Sequence, residues 1–242
     1  MVRRTQGTSA GLSRERIAAA AVALVDRDGL ERFGVRRLAD ELGVDPMSIY
    51  NHIKGKAALL DAVSETVLAE MAVDIEDAPE TWEGIARATM HRYREIAYRH
   101  PHVVRLLATR PQTSPPALAA LERLVTAMRA AGLPGHVIAD APMILFGFLN
   151  GYLLAVLGGG GDRAATVPTI DPALYPAMAA LAPELGDFGS VTEFDRLLDA
   201  VLGGIRDRAA RDRTAERAGR IDVREKRPAA RRGAVRPAGS VG

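Results

Sequence analysis

Only three residues, Gly43, Val44 and Asp45, separate two short apolar-striped runs, and that spacing constrains the fold more than any other feature of the chain. In the first run Val35, Leu38 and Leu42 share one helical face. Gly43 ends it, Asp45 supplies an N-cap oxygen, and Pro46 takes the first helical position of a second run predicted to end near Ile53. Helices of about two turns do not persist alone in water, so neighbours must brace them. Ser13 caps a preceding helix predicted to reach residue 28, with Ile17, Ala20, Ala21, Leu24 and Val25 at helical spacing and Gly29 as its stop. A following helix is predicted over 56–73, with Leu59, Leu60, Val63, Val67, Leu68 and Met71 on one face. The acidic stretch 74–80, containing Pro79, marks a domain boundary.

Beyond it, helices are predicted over 81–100, around 102–109, and over 115–131 and 135–157, punctuated by Pro101, Pro111, Pro134 and Gly158. Residues 158–189 contain a four-glycine run and several prolines, so they read as a loop with at most a short helix around 172–181. A last helix, from Val191 to about Ala210, shows Phe194, Leu197, Leu198, Val201 and Ile205 on one face. Past Arg211 the chain has few apolar anchors and reads as a disordered basic tail. The expected division is a basic arm over 1–12, a helical unit over 13–73, a second helical domain over 81–210 and a tail over 211–242. With 5% aromatic residues and abundant Ala, Leu, Arg and Glu, the fold class is all-α.

Composition excludes several classes of function. Cysteine is absent, so disulfide frameworks, thiolate metal sites and cysteine catalysis are ruled out, and a reducing cytoplasm is the expected compartment. No apolar core of a signal peptide follows Arg3 and Arg4. The apolar stretch 141–157 is interrupted by Pro142, Asn150 and glycines, so a buried core helix is expected and no membrane partner. No phosphate loop, nucleophile elbow or metal motif is present, so an enzyme is not expected, nor a cofactor. The net charge of +2 conceals a partition: residues 1–62 carry +2, residues 63–205 carry −7 and residues 206–242 carry +7. An acidic body repels phosphate, so contact with nucleic acid is confined to a small basic surface near the N-terminus.

The paired short helices match a helix-turn-helix, in which the second helix enters a DNA major groove. Ile49 and Ile53 lie four apart and can pack on Leu38 and Leu42, leaving Met47, Ser48, Asn51 and His52 outward as base-reading candidates. Arg36, Arg37, Tyr50, Lys54 and Lys56 surround that face with groups suited to phosphate. The competing reading is a helical protein-interaction or architectural module without operator specificity.

In the second domain, Gly135–Leu157 is apolar on nearly every side. Pairing it with the final helix across a two-fold axis gives a four-helix homodimer interface, and its other face is free to line a cavity for a small-molecule effector. Thr89, His91, Tyr93, His100, His102, Phe146 and Asn150 are the candidate effector contacts. No metal is expected there, because Pro101 separates two of the histidines and no carboxylate stands at ligand spacing.

The stretch Val35-Arg-Arg-Leu-Ala-Asp-Glu-Leu-Gly-Val-Asp-Pro-Met-Ser-Ile-Tyr-Asn-His-Ile-Lys-Gly-Lys-Ala-Ala-Leu-Leu-Asp61 resembles the signature of the TetR family of transcriptional regulators. The resemblance covers about residues 13–71. It implies phosphate contacts at Tyr50, His52 and Lys56, a second-helix contact at Arg36, and base readers at Pro46, Met47, Ser48 and Asn51. One departure is Gly34, where many members carry a capping Ser or Thr. Residues 81–210 resemble the tetracycline-repressor C-terminal domain, notably at Ala108-Thr-Arg-Pro111. The resemblance implies a homodimeric repressor on a palindromic double-stranded DNA operator, released by a small effector. Leu106 occupies the position of that branch's metal-binding histidine, so an apolar or aromatic effector is expected rather than tetracycline with magnesium.

Overall fold

The computed structural model describes residues 11–73, 80–110, 113–158 and 170–225, and among them every regular element is helical. Local sequence sets the helix ends. In α1 (Arg14–Asp28) the Ser13 hydroxyl accepts the Arg16 N–H at 3.2 Å. After α2 (Val35–Leu42), Gly43 turns the chain at a left-handed φ of +66° while its N–H reaches the Asp40 carbonyl. α3 (Pro46–His52) opens with the Asp45 carboxylate accepting the Met47 N–H at 2.8 Å and Pro46 in the first turn. α4 (Gly55–Ala69) is shorter than the predicted helix, because the chain tightens into a 3₁₀ turn over Glu70–Val73. Ile17, Leu24, Leu38, Ile49, Ile53 and Leu59, each no more than 2% exposed, form the shared core of this unit. Burial of each such side chain contributes about 1.5–3 kcal/mol, which offsets the weak intrinsic stability of α2 and α3.

The second domain comprises α5 (Trp82–Arg99), a 3₁₀ turn Pro101–Val103, α6 (Val104–Thr109), α7 (Pro115–Ala130), α8 (Gly135–Leu157), α9 (Pro176–Ala180) and α10 (Val191–Glu225). α8 is the hub, packed on α5, α6, α7 and α10. It buries Val137, Ala141, Leu145, Leu149 and Leu153 along one stripe. The opposite stripe is open: Met143 is 78% exposed, and Ile144 and Leu154 are exposed as well. By length and composition alone this helix passes for a membrane span, but its packed stripe makes it the core helix of the domain.

The C-terminal segment differs from expectation. A disordered tail was expected from residue 211, yet α10 continues unbroken to Glu225. Arg, Ala, Asp and Glu dominate residues 206–225, and the first proline after the helix start is Pro228, so intrinsic propensity carries the helix onward without an apolar face. His136 stands 2.7 Å from Asp212, and Arg208 pairs with Asp140 at 2.9 Å, which docks the helix beyond its apolar part. The predicted loop over 158–189 holds α9 inside the anticipated 172–181, followed by a 3₁₀ turn Ala182–Leu185. The arm over 1–10, most of the glycine run, and residues 226–242 lie outside the described residues.

Ion pairs fix the direction of α10. Its first turns lie beside α5, where His91 meets Asp195 and Arg87 meets Asp199. Its later turns lie beside the α7–α8 corner, where Arg213 donates to the Gly132 carbonyl. The N-terminal unit, the DNA-side unit of the sequence expectation, meets this domain elsewhere, through α4, the end of α5 and the segment between α6 and α7.

Candidate nucleic-acid interface and effector region

α3 is held by two side chains. Ile49 and Ile53 are 0% and 1% exposed and sit in the core with Leu38 and Ala39 of α2. Helical geometry then forces the remaining residues of α3 outward. Met47 is 65% exposed, Asn51 and His52 are exposed, and Pro46, Ser48 and Tyr50 are half-buried at the rim. Arg36 on α2 and Lys54 and Lys56 at the start of α4 are exposed beside them. Among the described residues none of these three cations forms an ion pair. Arg37 differs. Its guanidinium lies 2.9 Å from Asp28 and donates to the Arg32 carbonyl, so it fastens α2 to the end of α1.

The candidate effector residues divide. Tyr93 is 2% exposed, its hydroxyl donates to the Asn150 side-chain oxygen at 3.1 Å, and its ring meets Phe146 edge-on with centroids 6.1 Å apart. Burial pushes the Tyr93 hydroxyl well above its ordinary value, so it remains a donor. These three residues converge between α5 and α8. Thr89 is buried, and its hydroxyl is engaged by the Ile85 carbonyl of its own helix at 2.8 Å. That leaves it no donor for a ligand.

The histidines go elsewhere. His100 lies between Asp26 and Glu70 at the joint with the DNA-side unit, and His102 stands close to Gly29 at the same joint. His91 pairs with Asp195 and packs edge-on against Phe194, closing α5 on α10. Placing His100 and His102 in the effector set is therefore corrected. α5 ends at Arg99, and the Pro101–Val103 turn that follows packs against α1, which sets both rings at that joint.

Sequence reading missed a second polar centre. Arg94, 9% exposed, donates to the Gly189 carbonyl at 2.7 Å and lies over the Tyr98 ring at 4.3 Å. Buried Glu193 accepts from the Gly189 N–H and the Tyr152 hydroxyl, and Tyr152 is pushed up to about 12 chiefly by burial, with Tyr98 and Glu193 adding to it. The i, i+4 spacing of Arg94 and Tyr98 is the only local trace of this centre. Two cavities lie apart from Tyr93, Phe146 and Asn150. One, of about 200 Å³, lies between α4 and the segment before α7, near Asp61 and Ser114; the other, a groove of about 270 Å³, runs between α8 and α10.

Comparison with known proteins agrees with this arrangement. Residues 17–63 match the model for bacterial regulatory proteins of the tetR family, and residues 76–209 match the tetracyclin repressor-like C-terminal domain. The chain is 30% identical over 223 residues to the HTH-type transcriptional repressor DrrR1 of Streptomyces coeruleorubidus, covering 82% of this chain and 80% of that one. A possible TetR family transcriptional regulator from Streptomyces coelicolor A3(2) superposes with a TM-score of 0.69 at 26% identity, covering 81% of this chain and 99% of that one. ActR from Streptomyces coelicolor, solved in complex with actinorhodin, shares the fold with a TM-score of 0.70 at 23% identity, over 83% of this chain and 98% of that one. Both halves of the molecule are thus matched in order, and the chain belongs to the TetR family of bacterial regulatory proteins.

Proposed function

We propose that two copies of this chain bind a palindromic operator in the cytoplasm, each laying α3 in a major groove, and that an apolar or aromatic effector releases them. The observation that carries the reading is the outward face of α3. Ile49 and Ile53 lock its inner side, and it presents Met47, Ser48 and Asn51 between cations that form no ion pair among the described residues. Asn51 has the two-point chemistry for adenine, the Met47 methyl suits a thymine methyl, Ser48 donates or accepts, and Pro46 packs at the groove edge. Arg36, Tyr50, His52, Lys54 and Lys56 serve phosphate, whereas Arg37 acts as a brace.

The effector reading rests on Tyr93, Phe146 and Asn150, which offer an aromatic edge beside a hydrogen-bonding pair. A flat apolar ligand bearing a carbonyl or hydroxyl satisfies both. The copies associate through the open stripe of α8 and the groove between α8 and α10. Half-sites of such dimers lie one helical turn apart, about 34 Å, so a tilt of α4 that shifts the two α3 helices by a few ångströms destroys register. The test is a mobility shift of the DNA upstream of the chain's own gene, across a salt series and with candidate aromatic ligands. Expected is tight binding that weakens steeply with salt and is reversed by at least one ligand. Equal binding to shuffled DNA defeats the operator reading and favours an architectural module.

A further inference from the structure

The joint between the two domains holds a charged cluster that neither the DNA face nor the effector residues use. His100 directly follows α5, Asp26 lies in the last turn of α1, and Glu70 directly follows α4. One ring nitrogen of His100, Nδ1, stands 2.7 Å from an Asp26 carboxylate oxygen, and the other, Nε2, stands 3.2 Å from a Glu70 carboxylate oxygen. An ionised carboxylate only accepts hydrogen bonds. Only a ring with a proton on each nitrogen donates to both carboxylates at once. Its position at the C-terminal end of α5 favours that positive charge.

Asp26 depends on this ring. Its second carboxylate oxygen is buried without a hydrogen-bond partner, and the imidazole itself is only 14% exposed. Glu70 is held additionally by Arg99, 2.7 Å away, and its backbone carbonyl accepts from Arg92 at 3.0 Å. Among the described residues His102, on the turn after His100, lies near Gly29 of the α1 end, where Asp28 pairs with Arg27 and Arg37. Three elements thus meet on one imidazole: α1, the end of α4 and the end of α5.

We infer that His100 is a proton-dependent positioning residue, whose charged ring holds α1 and the end of α4 on α5 in the arrangement that binds operator. Loss of one ring proton removes a donor and leaves a carboxylate unsatisfied in the joint, which is costly where water is scarce. The joint then loosens, and α4 is no longer fixed relative to the effector domain. Operator binding and proton uptake at His100 are consequently linked, so affinity falls as pH rises and the ring loses one of its donors. The inference rests on the operator-binding reading above.

The test compares the full chain with His100→Gln and Asp26→Asn on its own upstream DNA at constant ionic strength. His52 at the DNA face also titrates, so the informative quantity is the difference between proteins. Across a pH series the unaltered chain is expected to lose roughly threefold to tenfold more affinity than either variant as pH rises. Ring-nitrogen NMR, assigned through His100→Gln, is expected to show both nitrogens of His100 protonated at the acid end of the series. Parallel pH profiles overturn the inference, including a His100→Gln variant weakened equally at every pH, as does a single neutral tautomer at the acid end. Absence of DNA binding at every pH is a different result: it defeats the operator reading, and the pH linkage with it.

Discussion

Asn51 and Lys56 are both exposed polar residues, yet they stand on different elements, and the operator reading proposed above gives them different tasks. Asn51 projects from α3 on the side opposite Ile49 and Ile53, whereas Lys56 stands at the start of α4, on the flank. Asn51→Ala is expected to cost about 1–3 kcal/mol and to relax preference at one base pair. Lys56→Ala is expected to weaken all sequences alike and to lower the salt slope by about one. Binding measured against a panel of single-base operator variants separates the two; loss without a change in preference for both proteins removes Asn51 from the base-reading set. The outward face of α3 was legible in the sequence because it follows from helical period alone. Roles decided by long-range partners were not. Arg37 looks like Arg36 in the sequence, but the Asp28 carboxylate 2.9 Å away claims it. His100 and His102 look like pocket residues until Asp26, 74 positions earlier, is found against the first of them.

Helices were legible where a cap or a turn residue marks their ends, as Ser13, Asp45 with Pro46, and Gly43 do. α2 is the exception in its local chemistry. Gly34 opens it with no side-chain cap, at an extended φ of −159° that any residue adopts, and a Cβ placed there meets nothing within 4 Å. Gly34→Ser is therefore expected to stabilise the protein by a few tenths of a kcal/mol, roughly, read as a small rise in melting temperature. A fall instead means that the added hydroxyl does not reach the α2 N–H groups. The far end of α10 was missed for the opposite reason. A run of Arg, Ala and Glu satisfies helix propensity while showing no apolar stripe, so periodicity reports nothing there. This basic extension leaves the domain at the α7–α8 corner, not where α4 and α6 meet the DNA-side unit. Replacing Arg211 and Arg213 by Ala is accordingly expected to leave operator affinity within about threefold of the unaltered chain at moderate salt, since charges beyond a Debye length of about 10 Å are screened. A larger loss in a titration assigns this part of α10 to DNA.

At the scale of the whole molecule, what a single subunit leaves uncovered matters most. The open stripe of α8 carries Met143, Ile144 and Leu154, with exposed Gly147 and Gly151 between them, and continues into the apolar groove against α10. Such a contiguous apolar surface suits a second copy of the chain. Glycine at 147 permits close approach of a partner helix, and a Cβ there meets nothing within 4 Å inside the subunit. Gly147→Glu consequently separates fold from assembly. Within one subunit the change is harmless, and removing a mid-helix glycine favours α8 by up to about 1 kcal/mol. Across a two-fold axis it sets two like charges face to face in an apolar seam, which is strongly unfavourable. The variant is expected to keep its helical content, to sediment as a monomer, and to lose operator binding, because one α3 alone makes half of the contacts. A Gly147→Glu protein that remains dimeric and binds operator normally places the two-fold axis on some other face.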